Sequence, residues 1–221
     1  VALFNRVAKG YAFVMLQKLI TTVCTAALIG SVALSAARAD DGEVVNSMLA
    51  SLYGPTGSQS DDQVLRDFYA EERYLPVWWR DGAWTQQARD AVDALSEARS
   101  AGLNEIRYGS ILLDSAVDQG FAAASGADAI AATELALTAS LLAFISDSEN
   151  GLVDPAKLGW QSRRAELIDP AAALAQGLEN PAFADWLAKL HPARDGYAAL
   201  VAELARYRTM AMAPWHVISD G

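Results

Sequence analysis

Between Asp128 and Ser146 the chain is apolar on almost every side. Ile130, Leu137, Leu141 and Ile145 recur at helical spacing on one face, with Leu135 and Leu142 beside them. A helix that is hydrophobic all round belongs in the interior, so the remaining segments have to pack around this one. At about 100° per residue, Glu134 falls on the same face as Leu137 and Leu141. A carboxylate there is costly to bury unless it is paired. Two readings follow: a structural carboxylate paired with an arginine or a helix cap, which is preferred, or a catalytic acid with a raised pKa.

The stretch from Asp61 to Ala88 is the second organiser. Val64, Leu65 and Phe68 mark an amphipathic helix, which Pro76 breaks while pushing Leu75 into an extended conformation. Trp78, Trp79 and Trp84 follow around a turn at Asp81-Gly82, and Thr85 is placed to cap the next helix. Three of the six tryptophans thus lie within seven residues. Such indoles are either the cornerstone of the packing, which is preferred, or part of a recognition surface together with Arg80.

Elsewhere the pattern is one of short helices. Glu43 to Tyr53 reads as a first helix, ended by the flexible run Gly54-Pro-Thr-Gly-Ser58. Gln86 to Ala101 reads as a helix with Ala88, Val92 and Leu95 inward and Gly102 at its C-terminal end. Leu103 to Tyr108 is a connector, Ile111 to Val117 a helix, and Ala122 to Ala127 a loop. Beyond Gly151, the pairs Asp154-Pro155, Asp169-Pro170, Asn180-Pro181 and His191-Pro192 each join a capping residue to a good first helical residue. Helices over Pro170–Leu178, Pro181–Leu190 and Arg194–Met210 follow, the last with Tyr197, Leu200, Val201, Leu204 and Tyr207 as its apolar stripe. No strand of convincing alternation and no internal repeat is visible. The expected fold is all-α, an irregular bundle of about seven to nine mostly short helices around the central apolar one.

The N-terminal segment stands outside this fold. Leu19 to Ala37 carries no charge, Lys18 precedes it, and Ala37-Arg38-Ala39 fits a small-x-small cleavage site. Residues 1–39 therefore read as a signal peptide starting at Met15, with Asp40 as the mature N-terminus and the periplasm as the destination. Residues 1–14 are either an extended n-region or sequence ahead of that start. The alternative is an uncleaved anchor, because about 19 apolar residues just span a bilayer. Membrane contact is expected only through this segment.

Loss of residues 1–39 removes four of the 17 basic residues and no acid, leaving 13 against 27 acidic ones and a net charge of about −14. So acidic a chain does not suit nucleic acid or an anionic membrane surface, since phosphate binding requires a basic patch. Cys24, the one cysteine, leaves with the leader, so stability has to come from packing. Residues 40–60 read as an N-terminal helix and linker, 61–211 as the helical domain, and 212–221 as the start of a linker to a further module.

Few chemistries have the parts they need. There is no Gly-rich phosphate loop, and His191 and His216 without a neighbouring cysteine make a poor zinc site. Neither histidine has a serine or cysteine nucleophile motif beside it. No metal or cofactor is expected. Glu71 with Glu72, or Asp81 near Trp79 and Trp84, are the carboxylates that would flank a sugar in a glycosidase-type wall hydrolase.

Several blocks together resemble the N-terminal helical scaffold domain of the large murein L,D-transpeptidases. They are Phe68-Tyr-Ala-Glu-Glu-Arg-Tyr-Leu-Pro-Val-Trp-Trp79, Gly82-Ala-Trp-Thr85, Ala101-Gly-Leu-Asn104, Glu134 to Phe144, and Gly151-Leu-Val-Asp-Pro-Ala-Lys-Leu158. His191-Pro192, Tyr197-Ala-Ala-Leu200, Ala205-Arg-Tyr-Arg208 and Trp215, Ile218 and Gly221 complete the pattern over about 61–221. Glu134 lies inside one of these blocks, which favours its structural role. The resemblance implies a peptidoglycan-binding module and a cysteine transpeptidase domain beyond the scaffold, the latter with a Ser-His-Gly-Cys segment whose cysteine forms a thioester with a stem peptide. Nothing in this sequence matches those positions, so no catalytic residue is carried over. The expectation is an exported scaffold, non-catalytic by itself, whose partners are peptidoglycan or other wall modules. Glycan or protein contact would use exposed members of Trp78, Trp79 and Trp84 with Arg80. A stand-alone periplasmic binding module is the alternative.

Overall fold

The computed structural model describes residues 45–50, 60–153, 159, 167–191 and 196–212. The leader, the 54–58 run, Asp154-Pro155 and residues beyond 212 lie outside the described residues; of the expected first helix 45–50 is described and is helical, and its two ends lie outside.

The elements run α1 (Ser60–Glu71), β1 (Trp79–Arg80), β2 (Ala83–Trp84), α2 (Gln86–Glu97), a 3₁₀ turn (Glu105–Tyr108), α3 (Ser110–Val117), α4 (Phe121–Ser125), α5 (Ala127–Glu149), α6 (Pro170–Leu178), α7 (Phe183–Ala188) and α8 (Tyr197–Ala211). The described fold is all-α, with a two-residue hairpin as a minor addition.

Helix α5 is the axis. Of its 23 residues 15 are buried, and Leu137, Leu141 and Ile145 are fully enclosed. By length and hydropathy it matches a membrane span, but 78% of its most apolar window is buried inside the fold, as in the core helix of a globular bundle. Helices α1, α2, α3, α4 and α6 and the 3₁₀ turn pack around it. Helix α2 presents Ala88, Ala91, Val92 and Leu95 to the core and touches α3 and α7 on its flanks.

The boundaries follow local chemistry. The Thr85 hydroxyl accepts from Ala88 N–H at 3.1 Å and starts α2; the Asp169 carboxylate accepts from Ala171 N–H at 2.9 Å and starts α6 ahead of Pro170 at its first position. Helix α1 ends where Arg73 and Tyr74 take left-handed φ values of 56° and 61°, and Tyr74 N–H bonds back to Tyr69 O at 2.7 Å. In the hairpin Asp81 and Gly82 both have positive φ, 52° and 79°, the geometry that joins two antiparallel strands by a two-residue turn. Trp79 thereby stands opposite Trp84, their rings edge to face at 5.0 Å.

Some expectations need correction. Helix α2 stops at Glu97 rather than Ala101, because the chain turns through 98–102, with Leu103 N–H closing on Ala98 O at 3.1 Å. The expected loop over 122–127 contains α4, whose Ala122 is buried against the core. The connector 103–108 is a 3₁₀ turn capped by the Asn104 side chain. Helix α7 starts at Phe183 because Asn180 caps Ala182 N–H of a preceding turn instead of the helix. The stripe on α8 is not a buried face. Only the row Tyr197, Val201, Leu204 and Arg208 is half-covered, against residues 99–102, while Leu200 and Tyr207 are 71% and 61% exposed. They lie roughly a quarter-turn round the helix from the row that makes contact.

Candidate functional site

The most elaborated site lies where α5 meets the segment between α1 and the hairpin. Pro76 has no N–H of its own and holds Leu75 extended, so the amides that follow turn together toward α5. Glu134 stands beneath them, completely buried. Its Oε1 accepts from Val77 N–H and from the Tyr69 hydroxyl at 3.1 Å, and Trp78 N–H lies 3.1 Å from both carboxylate oxygens. Trp79 N–H adds a further favourable interaction. Successive amides aimed at one carboxylate work as an anion-binding nest, supplied here by main chain to a side chain of the same protein.

A second polar residue completes the arrangement. Thr138, one turn after Glu134, has its hydroxyl 2.7 Å from the Tyr69 hydroxyl, and accepts the Trp78 indole N–H at 2.8 Å. Its oxygen also lies 3.1 Å from the Glu134 carbonyl oxygen, to which it can donate. Loss of water pushes the Glu134 carboxyl up to about 7, while the amide donors and Tyr69 pull it down. Hydrogen-bond donors thus surround the Glu134 carboxyl at the place where the structural reading expects an arginine or a helix cap. Beside it opens a cleft of about 50 Å³ lined by Val45, Pro76, Trp79, Ala127, Ile130, Ala131 and Glu134.

The four surface candidates separate by burial. Trp78 is fully enclosed and tilts against Phe183 at 6.1 Å between ring centres; Trp84 is 5% exposed. Neither presents a ring to a glycan, because the hairpin folds both into the core. Trp79 is half-buried and Arg80 exposed, so any contact at this rim belongs to these two. The Trp84 indole N–H is buried without a hydrogen-bond partner among the described residues.

The carboxylates considered for sugar hydrolysis are placed differently from Glu134. Glu71 is exposed at the end of α1, Glu72 follows it half-buried, and Asp81 is exposed at the hairpin tip; none of the three lines the cleft. His191 is exposed and stacks on Tyr197 at 5.6 Å. Its charge partly offsets the burial that raises the pKa of Glu149. His216 lies outside the described residues. Among the described residues no three His, Cys, Asp or Glu side chains come together as a metal site.

Three polar groups escaped the sequence reading. Thr138 carried a signal, a polar residue four positions after Glu134 on an otherwise apolar face. Tyr69 was screened by its neighbour Phe68, which accounts for the inward turn of α1 without it. The third is Asp147, 8% exposed at its side chain, which binds Arg107 Nε at 2.7 Å and the Tyr108 hydroxyl at 2.9 Å. It ties the 3₁₀ turn to the end of α5. Burial and the Asp147 charge push the Tyr108 hydroxyl far above its ordinary pKa, so it stays a donor.

Comparison with curated proteins and with solved structures found no match. The family model described as Scaffold domain matches residues 63–204, from α1 through the first half of α8. Most of the core around α5 and the hydrogen-bonded cluster of Tyr69, Glu134 and Thr138 fall inside that span, and the chain belongs to the Scaffold domain family.

Proposed function

We propose that this protein is the exported helical scaffold of a peptidoglycan L,D-transpeptidase system, serving cell-wall cross-linking by positioning wall-active modules. The observation that carries the reading is the Scaffold domain match over 63–204, which takes in the blocks from Phe68 to Leu200 that resemble the murein L,D-transpeptidase scaffold. In this role the helical body supplies rigidity and a defined rim. The charged leader and apolar run of residues 1–39 support export to the periplasm. Trp79 and Arg80 on the hairpin rim are the side chains through which it would touch glycan or a neighbouring module, an aromatic edge beside a cation.

Deleting the whole reading frame that contains this chain should lower the share of L,D-cross-linked muropeptides, measured by digestion of purified sacculi and chromatography. An unchanged profile overturns the reading. The exposed Arg80 beside Trp79 also supports a simpler binding module. That alternative predicts co-sedimentation of the pure protein with sacculi, weakened by W79A/R80A, with no change of cross-linking in the deletion strain.

A further inference from the structure

Helix α8 leaves bare a stripe of large side chains that its attachment to the bundle does not use. Leu200, Glu203, Tyr207 and Met210 follow one another at steps of three, four and three residues, the spacing of a two-helix seam, and all four are exposed. The row that faces residues 99–102 lies to one side of this stripe. The remaining side of the helix carries Ala198, Ala202, Ala205 and Thr209, so the bulk that α8 shows to solvent is concentrated on the stripe.

Along the stripe the chemistry is apolar at both ends and charged in the middle. Arg206 stands at its margin, with Nε 2.9 Å and Nη2 2.7 Å from Glu203 Oε2 and its guanidinium carbon 5.4 Å from the centre of the Tyr207 ring. An acid and a cation thus sit side by side, with Leu200 before them and Met210 after them, about 15 Å apart along the axis. Such an order complements itself only when a second helix runs the opposite way.

We propose that this stripe is a self-association surface, on which a second copy of the chain packs antiparallel about a two-fold axis. With Leu200 opposite Met210 of the second copy, Glu203 falls opposite its Tyr207 and beside its Arg206, and the axis repeats each pair. The facing hydroxyl and guanidinium are both donors, so the acid inside the seam is answered from across it. A parallel copy would set Glu203 against Glu203 and Arg206 against Arg206, and like charges disfavour that register. The Glu203–Arg206 pair within each helix offers little competition, because its side chains are 53% and 63% exposed and exposed pairs hold little energy. So short a seam buries less than the roughly 1,200 Å² of a stable interface, so the dimer is weak, half-formed at a protein concentration on the order of 0.1 mM. This surface is independent of the wall role proposed above.

Sedimentation equilibrium of the intact protein tests this, and should show a monomer–dimer equilibrium in that concentration range. Glu203→Arg and Arg206→Glu should each weaken association by roughly tenfold, because every facing pair then carries like charges. Both positions are exposed, so the fold should tolerate the changes. An equimolar mixture of the two variants should recover association as a heterodimer, since a doubly basic stripe then meets a doubly acidic one. The mixture cannot restore the pair within either helix, so its rescue reports contact between chains alone. A wild type that stays monomeric up to about 1 mM would mean that something other than a second copy covers the stripe. Association unchanged in both single variants would place the contact elsewhere, such as the apolar run Leu19 to Ala37. A mixture that associates no better than its components would remove the antiparallel pairing. Any of these three results overturns the proposal.

Discussion

A single side chain, Glu134, links the core helix to the hairpin, and its value depends on what it leaves behind when removed. Replacing it with alanine strands the Val77 and Trp78 amides and takes one acceptor from the Tyr69 hydroxyl, which keeps Thr138 and the main-chain oxygen of residue 134. A buried donor without an acceptor costs about 1–3 kcal/mol, and water entering from the cleft recovers part of it. Glu134→Ala should therefore lose about 3 kcal/mol of unfolding free energy by urea denaturation, more than a transfer of methylenes would suggest. A loss below about 1 kcal/mol would mean that the amides find other acceptors. The sequence showed that this carboxylate faces the core, because helical periodicity alone places it beside Leu137 and Leu141. Its partners were not legible: main-chain amides of residues 77–79 have no side-chain signature, and their aim depends on the left-handed pair Arg73 and Tyr74.

At the scale of elements, local rules located helices whose ends are chemically marked and misplaced those whose ends depend on packing. Asp169-Pro170 and Thr85 mark their helices by caps, and α6 and α2 start where those residues require. Helix α4, Phe121–Ser125, has no side-chain cap and a glycine on either side, at 120 and 126, so it depends on the support of α3 and α5. The contact of α6 with α7 shows the same dependence on tertiary fit. Gly177 is buried, and a Cβ built there would lie 2.5 to 2.7 Å from the six-membered ring of Trp186. Glycine is thus required by space rather than by φ. Gly177→Ala has to displace an indole stacked on Phe183 at 5.6 Å, and should destabilise the fold by about 1–3 kcal/mol despite the better helix propensity of alanine. A thermal melt checks the sign: a raised Tm would show that Trp186 yields without cost.

Across the whole molecule, stability is unevenly distributed. Helix α5 is enclosed on nearly all sides, and polar ties join it to the periphery, Glu134 to the hairpin root and Asp147 to the 3₁₀ turn. Helix α8 contributes no fully buried residue. Its described attachments include the Tyr197 hydroxyl donating to Ala101 O at 3.2 Å, Arg208 Nη1 donating to Arg99 O at 2.5 Å, and Leu204 3.5 Å from the position of a Cβ on Gly102. These hold one row of the helix against a turn, and none draws on the apolar core. An element with so little buried surface opens at a small fraction of the global unfolding free energy. Native-state hydrogen exchange should therefore find the central amides of α8 at least a hundredfold less protected than those of residues 137–145 in α5, with a denaturant dependence near zero because opening exposes little surface. Equal protection in the two helices would mean that α8 unfolds only with the bundle. In that case the sequence-based expectation of a core-facing stripe over 197–207 describes its energetics better than its exposure does.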